Sequence, residues 1–230
     1  MPRKSRRGSG RLDAKQRVRN ARGRSNSSTR WLQRQLNDPY VQEARRMGFR
    51  SRAAFKLIFI DDKYKLIHRN LRVVDLGAAP GSWSQVVSKK IDRQGSLVAV
   101  DLLELTPIIG VKTLIGDFLE KETQAQLFHI IGGTADLVLS DLGASATGNA
   151  VTDHLRSVVL AEAAFEFSTE ILNEGGSFVV KLLQGVEEND YVMALRKQFA
   201  KVNRVKPPAS RDRSAEMYVV ARGFRRLKIF

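Results

Sequence analysis

Downstream of residue 71 the chain alternates short apolar runs with stretches whose apolar residues recur every three or four positions. Short apolar runs bounded by turn residues read as buried strands, and the longer periodic stretches read as helices. The pattern predicts strands over residues 72–76, 97–101, 111–115, 136–141, 176–182, 202–206 and 217–221. It predicts helices over 83–91, 121–131, 154–172 and 190–200. Ahead of these, a helical segment begins at Trp31 and is interrupted at Pro39. A second helix over residues 51–64 carries Phe55, Ile58 and Phe59 on one face. Strands alternating with helices imply an α/β fold, a mainly parallel sheet with helices on both faces.

The most informative stretch runs from Leu71 to Trp83, Leu-Arg-Val-Val-Asp-Leu-Gly-Ala-Ala-Pro-Gly-Ser-Trp. A buried strand ends near Asp75, breaks into a glycine-rich turn and hands over to a helix near Trp83. Such a turn is expected to bring bare backbone N–H groups beside a cofactor. In a doubly wound sheet, ligands sit outside the carboxyl ends of the strands. Asp75, Asp101, Asp117 and Asp141 each fall at or just after a predicted strand end, around the same edge as the turn. Any one of them alone reads as strand-end capping; together with the turn they point to a cofactor pocket. Asp101 lies where an acid takes ribose hydroxyls, and Asp117 is placed to accept from an adenine amino group. The turn lacks both the dinucleotide and the P-loop glycine spacing. A pocket ringed by carboxylates repels a pyrophosphate and tolerates a cation. S-adenosylmethionine, a sulfonium without phosphate, therefore suits it better than NAD or ATP. Trp83 reads either as a cover for the cofactor or as a cap on the core.

Composition narrows the picture. The chain of 230 residues is long enough for one sizeable core and a tail. No apolar run approaches the roughly 20 residues of a membrane-spanning helix. There is no cysteine, and the three histidines are scattered, so no metal site is expected. The net charge of +15 suggests a polyanionic partner. Residues 1–30 hold eleven Lys/Arg against one acid, Asp13, and account for +10 of it, so the folded part is only mildly basic. This Arg/Ser/Gly-rich segment is too poor in large apolar residues to fold and reads as a disordered tail. It reads as an RNA-binding arm or as a solubilising tail. A transit peptide ranks below both for want of an apolar face, and a secretory signal is excluded by the lack of an apolar central region.

Four further segments carry polar residues where packing does not ask for them. They are Ser51-Arg-Ala-Ala-Phe-Lys-Leu57, Leu139-Ser-Asp-Leu142, Ser177-Phe-Val-Val-Lys-Leu182 and Ser210-Arg-Asp-Arg-Ser-Ala-Glu-Met-Tyr218. Lys181 ends an apolar strand and is aimed at the site edge. Lys56 alone would read as a snorkelling lysine and Glu216 as an exposed strand-end acid. With the glycine turn, these segments closely resemble the FtsJ-type RNA ribose 2′-O-methyltransferases, nearest to the bacterial branch acting on large-subunit (23S) ribosomal RNA. The resemblance covers roughly Trp31 to Ala221. It implies a Rossmann-like methyltransferase domain over residues 31–230, with seven strands and the last one antiparallel between the fifth and sixth. It places the family's catalytic tetrad on Lys56, Asp141, Lys181 and Glu216. It places the S-adenosylmethionine contacts on Gly81, Trp83, Asp101, Asp117 and Asp141. Two departures stand out. Ser82 replaces a second glycine common in bacterial relatives, and Gly143-Ala144-Ser145 replaces a common Ala-Pro-Asn, which loosens the loop beside the methyl acceptor.

Following the family, Lys181 is the expected general base, which requires surroundings that disfavour its ammonium form. The rival assignment gives the proton to Asp141 and has Lys181 steady the developing alkoxide. The implied acceptor is a uridine in the peptidyl-transferase A-loop, in 23S rRNA or on the assembled 50S subunit. The implied setting is the cytoplasm, with no membrane and no obligate protein partner. Arg50, Arg52, Lys65, Arg196, Lys197, Lys201, Arg204, Lys206, Arg211 and Arg213 are candidate phosphate contacts, about half of them expected to be ordinary surface. The alternatives are a noncatalytic RNA-binding ribosome-assembly factor, which has no need of the tetrad, and a dehydrogenase, disfavoured by the glycine spacing.

Overall fold

The structure, a computed structural model, describes Gly23 and residues 25–226. Residues 1–22 and 24 of the expected tail lie outside it. The first helix, α1 (Asn26–Leu36), starts ahead of Trp31 because Ser25 caps it, its Oγ accepting from the Ser28 N–H at 3.2 Å. Its polar first turn shows no apolar period from which to read a start. Asp38 caps α2 (Pro39–Arg46), in which Pro39 opens the helix rather than breaking one. Helix α3 (Ala54–Tyr64) follows and ends on Lys65 in the left-handed region.

The remaining elements are β1 (Arg72–Leu76), α4 (Ser82–Ser88), β2 (Ser96–Asp101), β3 (Val111–Ile115), α5 (Lys121–Ile131), β4 (Ala135–Ser140), α6 (Ala150–Ile171), β5 (Leu172–Leu183), α7 (Glu188–Gln198), β6 (Phe199–Val205) and β7 (Glu216–Phe224). They form one seven-stranded sheet in the order β3-β2-β1-β4-β5-β7-β6. The first five strands are parallel, and β7 runs antiparallel between β5 and β6. Every strand expected from the hydrophobic pattern is present, and the inserted antiparallel strand is where the resemblance put it.

Alternate residues of each central strand feed two cores. Val74, Val98, Val138, Phe178 and Val219 face α5, α6 and α7. Val73, Leu97, Leu137, Val179 and Val220 face α2, α3 and α4. Burial on both faces explains the continuous apolar runs in the sequence. Strand order reverses between β1 and β4, so their carboxyl ends open the crevice in which such sheets bind ligands.

Several element ends differ from expectation. Helix α6 passes directly into β5, and α7 directly into β6. Helix α6 starts at Ala150 rather than 154 because Asn149 caps it, Oδ1 accepting from the Val151 and Thr152 N–H groups at 3.0 and 3.1 Å. Strand β7 continues past Ala221 through Gly223, at φ 72°.

Phe167 of α6 ties the layers together. Its ring meets Phe118 edge-on at 5.2 Å and Phe128 at 5.3 Å, and Phe118 directly follows Asp117. Phe167→Ala should lower unfolding stability by about 3–5 kcal/mol, measured by urea denaturation. A loss under about 1 kcal/mol would show that the site collapses around the missing ring.

Candidate active site

The carboxyl edge of the sheet gathers Lys56, Asp141, Lys181 and Glu216 into one hydrogen-bonded chain. Lys56, on α3, donates from Nζ to Glu216 Oε2 at 2.7 Å and to the Tyr218 hydroxyl at 3.2 Å. Tyr218 in turn donates to Asp141 Oδ1 at 2.8 Å. Lys181, on β5, donates to the backbone oxygen of Asp141 at 2.6 Å and stands 3.2 Å from its Oδ1. Glu216, the first residue of β7, also accepts from Ser210 Oγ at 2.7 Å. The four charged side chains are 12–20% exposed, so they have left most of their water. They are stable there because each cation has a carboxylate partner.

Backbone placement follows from the fold. Asp141 steps off β4 with its N–H bonded to Leu76 O at 3.1 Å, which fixes it beside the end of β1. Lys181 and Tyr218 are register partners on β5 and β7, so the antiparallel insertion sets them side by side. Gly143 leaves room for Lys181: a Cβ there would lie 2.7 Å from its Nζ. The departure from Ala-Pro-Asn noted in the sequence therefore frees space beside Lys181.

Next to this chain lies a cavity of about 790 Å³. Asp101, Asp117, Asp141 and Lys181 line it, with Val100, Leu102, Phe118 and Leu142 as apolar wall. Asp101 accepts from the Ala79 N–H at 2.8 Å and from the Leu103 N–H at 2.9 Å, tying the glycine turn to the segment after β2. Asp117 accepts from the Leu119 N–H at 2.9 Å. Three acids against two basic residues, Lys181 and Arg156, leave the lining one charge negative, which with its apolar walls suits a ligand carrying positive charge better than a polyphosphate.

A family model for FtsJ-like methyltransferases matches residues 49–224. The chain belongs to this family. It is 54% identical over 214 residues to the ribosomal RNA large subunit methyltransferase E of Xanthobacter autotrophicus, covering 92% of this chain and 84% of the relative. It is 53% identical over 210 residues to the protein of the same name from Zymomonas mobilis, covering 91% and 95%. Among solved structures, a ribosomal RNA methyltransferase from Plasmodium falciparum superposes with a TM-score of 0.68 at 29% identity, covering 76% of this chain and 98% of that one.

Within this FtsJ-like methyltransferase the other expected site residues fall in different surroundings. Asp101, Asp117 and Asp141 line the large cavity, whereas Asp75, Gly81 and Trp83 do not. Trp83 is a core residue at 2% exposure, its Nε1 donating to Ala53 O at 2.9 Å and its ring 5.5 Å from Tyr218. The turn's first donors are not bare. Gly77 and Ala78 N–H groups are bonded to Val100 O, and Ala79 N–H to Asp101, because the turn is braced on β2. Gly77 is required for close approach, since a Cβ there would sit 2.9 Å from Leu142 backbone.

Four of the expected phosphate contacts are tied to partners within the fold. Arg52 pairs with Asp38 and donates to Ala209 O. Arg204 pairs with Glu188 at 2.8 Å, and Lys206 donates to Asp212 O and Ser214 O. Arg50 donates to backbone carbonyls. Ser210 and Tyr218, which hold Glu216 and Asp141, were no part of the expected site. Tyr218 carried a usable signal, a hydroxyl-bearing ring alternating with Glu216 on one strand. Ser210, one serine in a polar loop, carried none.

Asp75 is fully buried in β1. Ser84 Oγ donates to its Oδ2 at 2.6 Å, and its Oδ1 has no partner. Burial pushes its pKa up to about 7; the Ser84 hydrogen bond opposes this, and Asp141 and Asp101 add to it. The folded protein therefore keeps a proton that the unfolded chain, with an ordinary carboxyl at 3.8, releases. Between about pH 4 and pH 7 the native state binds more protons, so stability falls as pH rises through that window and is level above it. Asp75→Asn has no such charge to bury. Its urea midpoint relative to wild type should climb between about pH 4 and 7 and then stay constant. A difference independent of pH would show that Asp75 is ionised in the folded protein.

Proposed function

We propose that this protein transfers a methyl group from S-adenosylmethionine to a ribose 2′-hydroxyl of large-subunit (23S) ribosomal RNA. The observation that carries the reading is the joined chain Lys56–Glu216 and Tyr218–Asp141–Lys181 at the mouth of an acid-lined cavity. The relatives' names supply the substrate class, and the family supplies the reaction class. A uridine in the peptidyl-transferase A-loop, presented on the assembled 50S subunit in the cytoplasm, is the acceptor of this reading.

The donor set fits such a cofactor. Asp101 would take the ribose hydroxyls, Asp117 the adenine amino group, and Asp141 the cationic end. Gly81 and Trp83 would serve by shaping the turn, since neither lines the cavity, the Gly81 N–H is bonded to Ala78 O and the Trp83 ring is buried against Tyr218. When bound, S-adenosylmethionine supplies an activated methyl on its sulfonium. The protein's own task is to align the acceptor hydroxyl and remove its proton. Lys181 faces the cavity and takes that proton from O2′ as the new carbon–oxygen bond forms. Asp141, held by Tyr218, orients Lys181. Lys56 and Glu216 neutralise each other and fix Tyr218 from behind.

Lys181→Ala should cut methyl transfer to 50S subunits by at least about a hundredfold, the span of a lost general base. Binding of S-adenosylhomocysteine should stay within about threefold of wild type, because the acids of the nucleoside end are untouched. Transfer is read with labelled methyl donor, and the site by mapping ribose methylation in the product RNA. Full turnover in the variant would remove Lys181 from the chemistry. Tight cofactor binding with no transfer by wild type to any ribosomal RNA substrate would favour a noncatalytic assembly factor.

A further inference from the structure

Arg50 lies on the segment that leads into α3, outside the acid-lined cavity. Its guanidinium reaches three backbone carbonyls on two other segments. Nη1 donates to Pro80 O at 2.8 Å, and Nη2 donates to Thr106 O at 2.7 Å and Pro107 O at 3.1 Å. Pro80 belongs to the glycine turn, and Thr106 and Pro107 to the stretch that joins β2 to β3. Among the described residues no carboxylate pairs with Arg50. Its own N–H is held by Gln85 Oε1 at 2.8 Å, and Gln85 Nε2 donates to Gly48 O at 3.0 Å, so its backbone is anchored on α4.

The contact is tight. A Cβ on Gly81 would meet Arg50 Nη1 at 2.5 Å and Ile108 Cδ1 at 2.9 Å. Gly81, at φ 102°, thus lets the guanidinium and the 106–108 stretch close over the turn. On the inner side the same two segments are joined by Asp101, which accepts from Ala79 and Leu103. Leu102 and Leu103 then form part of the cavity wall. The turn and the β2–β3 connection are therefore stapled twice, by a carboxylate inside the cavity and by a guanidinium outside it.

We infer that Arg50 is a positioning residue for the methyl donor: it clamps the β2–β3 connection onto the glycine turn and so holds the cavity wall beside Asp101 in its binding shape. The inference rests on the reading of that cavity as the methyl-donor site. A planar fork with several donors can bridge carbonyls on two segments at once, whereas an ammonium offers a single point. The clamp occupies three of the five guanidinium donors.

The test compares Arg50→Met, which keeps the bulk and loses the donors, with Arg50→Lys and wild type. Amide exchange at Thr106 and Ile108 should speed up about tenfold or more in the Met variant, on the scale of one or two lost charge-assisted hydrogen bonds. Affinity for S-adenosylhomocysteine should fall about tenfold and the KM for the methyl donor should rise, while the KM for 50S subunits holds and Arg50→Lys lies between. Unchanged exchange at Thr106 and Ile108 overturns the clamp. So does the opposite kinetic split, in which cofactor affinity holds, the KM for subunits rises and the salt dependence becomes shallower, because that marks a phosphate contact. Faster exchange in the Met variant of a protein whose wild type does not bind S-adenosylhomocysteine supports the clamp and overturns the cofactor reading of the cavity.

Discussion

Two lysines and two carboxylates, each mostly withdrawn from water, can stand at one end of this sheet because each lysine pairs with a carboxylate and Tyr218 links the two pairs. Removing a single partner would strand a charge in a place that cannot solvate it, which costs more than the pair gains. The fold is arranged around that requirement. Lys56 comes from a helix on one face, Asp141 from the end of β4, Lys181 from β5 and Glu216 from the start of β7. Only an antiparallel strand inserted beside β5 can bring its amino-terminal end to the carboxyl end of the parallel strands. The topology and the charge cluster are therefore one constraint seen at two scales.

The same economy explains the glycine turn. Its first N–H groups are spent on β2, and its bare positions serve approach rather than donation: Gly77 against Leu142, Gly81 against Arg50 and Ile108. What the turn contributes is a fixed shape between β1 and α4, braced on the neighbouring β2. The acids around it have divided roles. Asp101 and Asp117 cap their own loops while facing the cavity, whereas Asp75 lies beneath, its pKa raised to about 7 by burial and its carboxyl bound to Ser84.

Much of this was legible in the sequence, for physical reasons. Strands buried on both faces must be apolar throughout, so Val73–Val74 and Leu137–Leu139 could be read as strands, and an acid after such a run marks its open end. The order of the last strands was not legible from periodicity. It came from the resemblance, because pairing partners leave no trace in a hydrophobic pattern. Asp75 was placed among the edge acids although the expected strand already ran one residue past it; an acid still inside a strand covered on both faces is buried, not at the open edge. The basic residues were the least readable. Arg52, Arg204 and Lys206 look like free surface charge in the sequence, and each is tied to a partner that only the fold brings near.

The two lysines of the cluster are not equivalent, and their surroundings decide which one the chemistry can use. Lys56 is bound to Glu216 and Tyr218, lies against the Tyr218 ring at 5.6 Å, and has no share in the cavity wall. Its bonds hold Glu216 and the Tyr218 hydroxyl in place. Lys181 lines the cavity, and its neighbour Gly143 has no side chain to crowd it. Its ties are to one residue, Asp141, whose carboxylate also faces the ligand space. A positively charged ligand entering beside Asp141 would compete with Lys181 for that carboxylate. Under the proposed reading, the lysine that shares the cavity wall is the one within reach of an acceptor hydroxyl, and Lys56, behind Tyr218, is not.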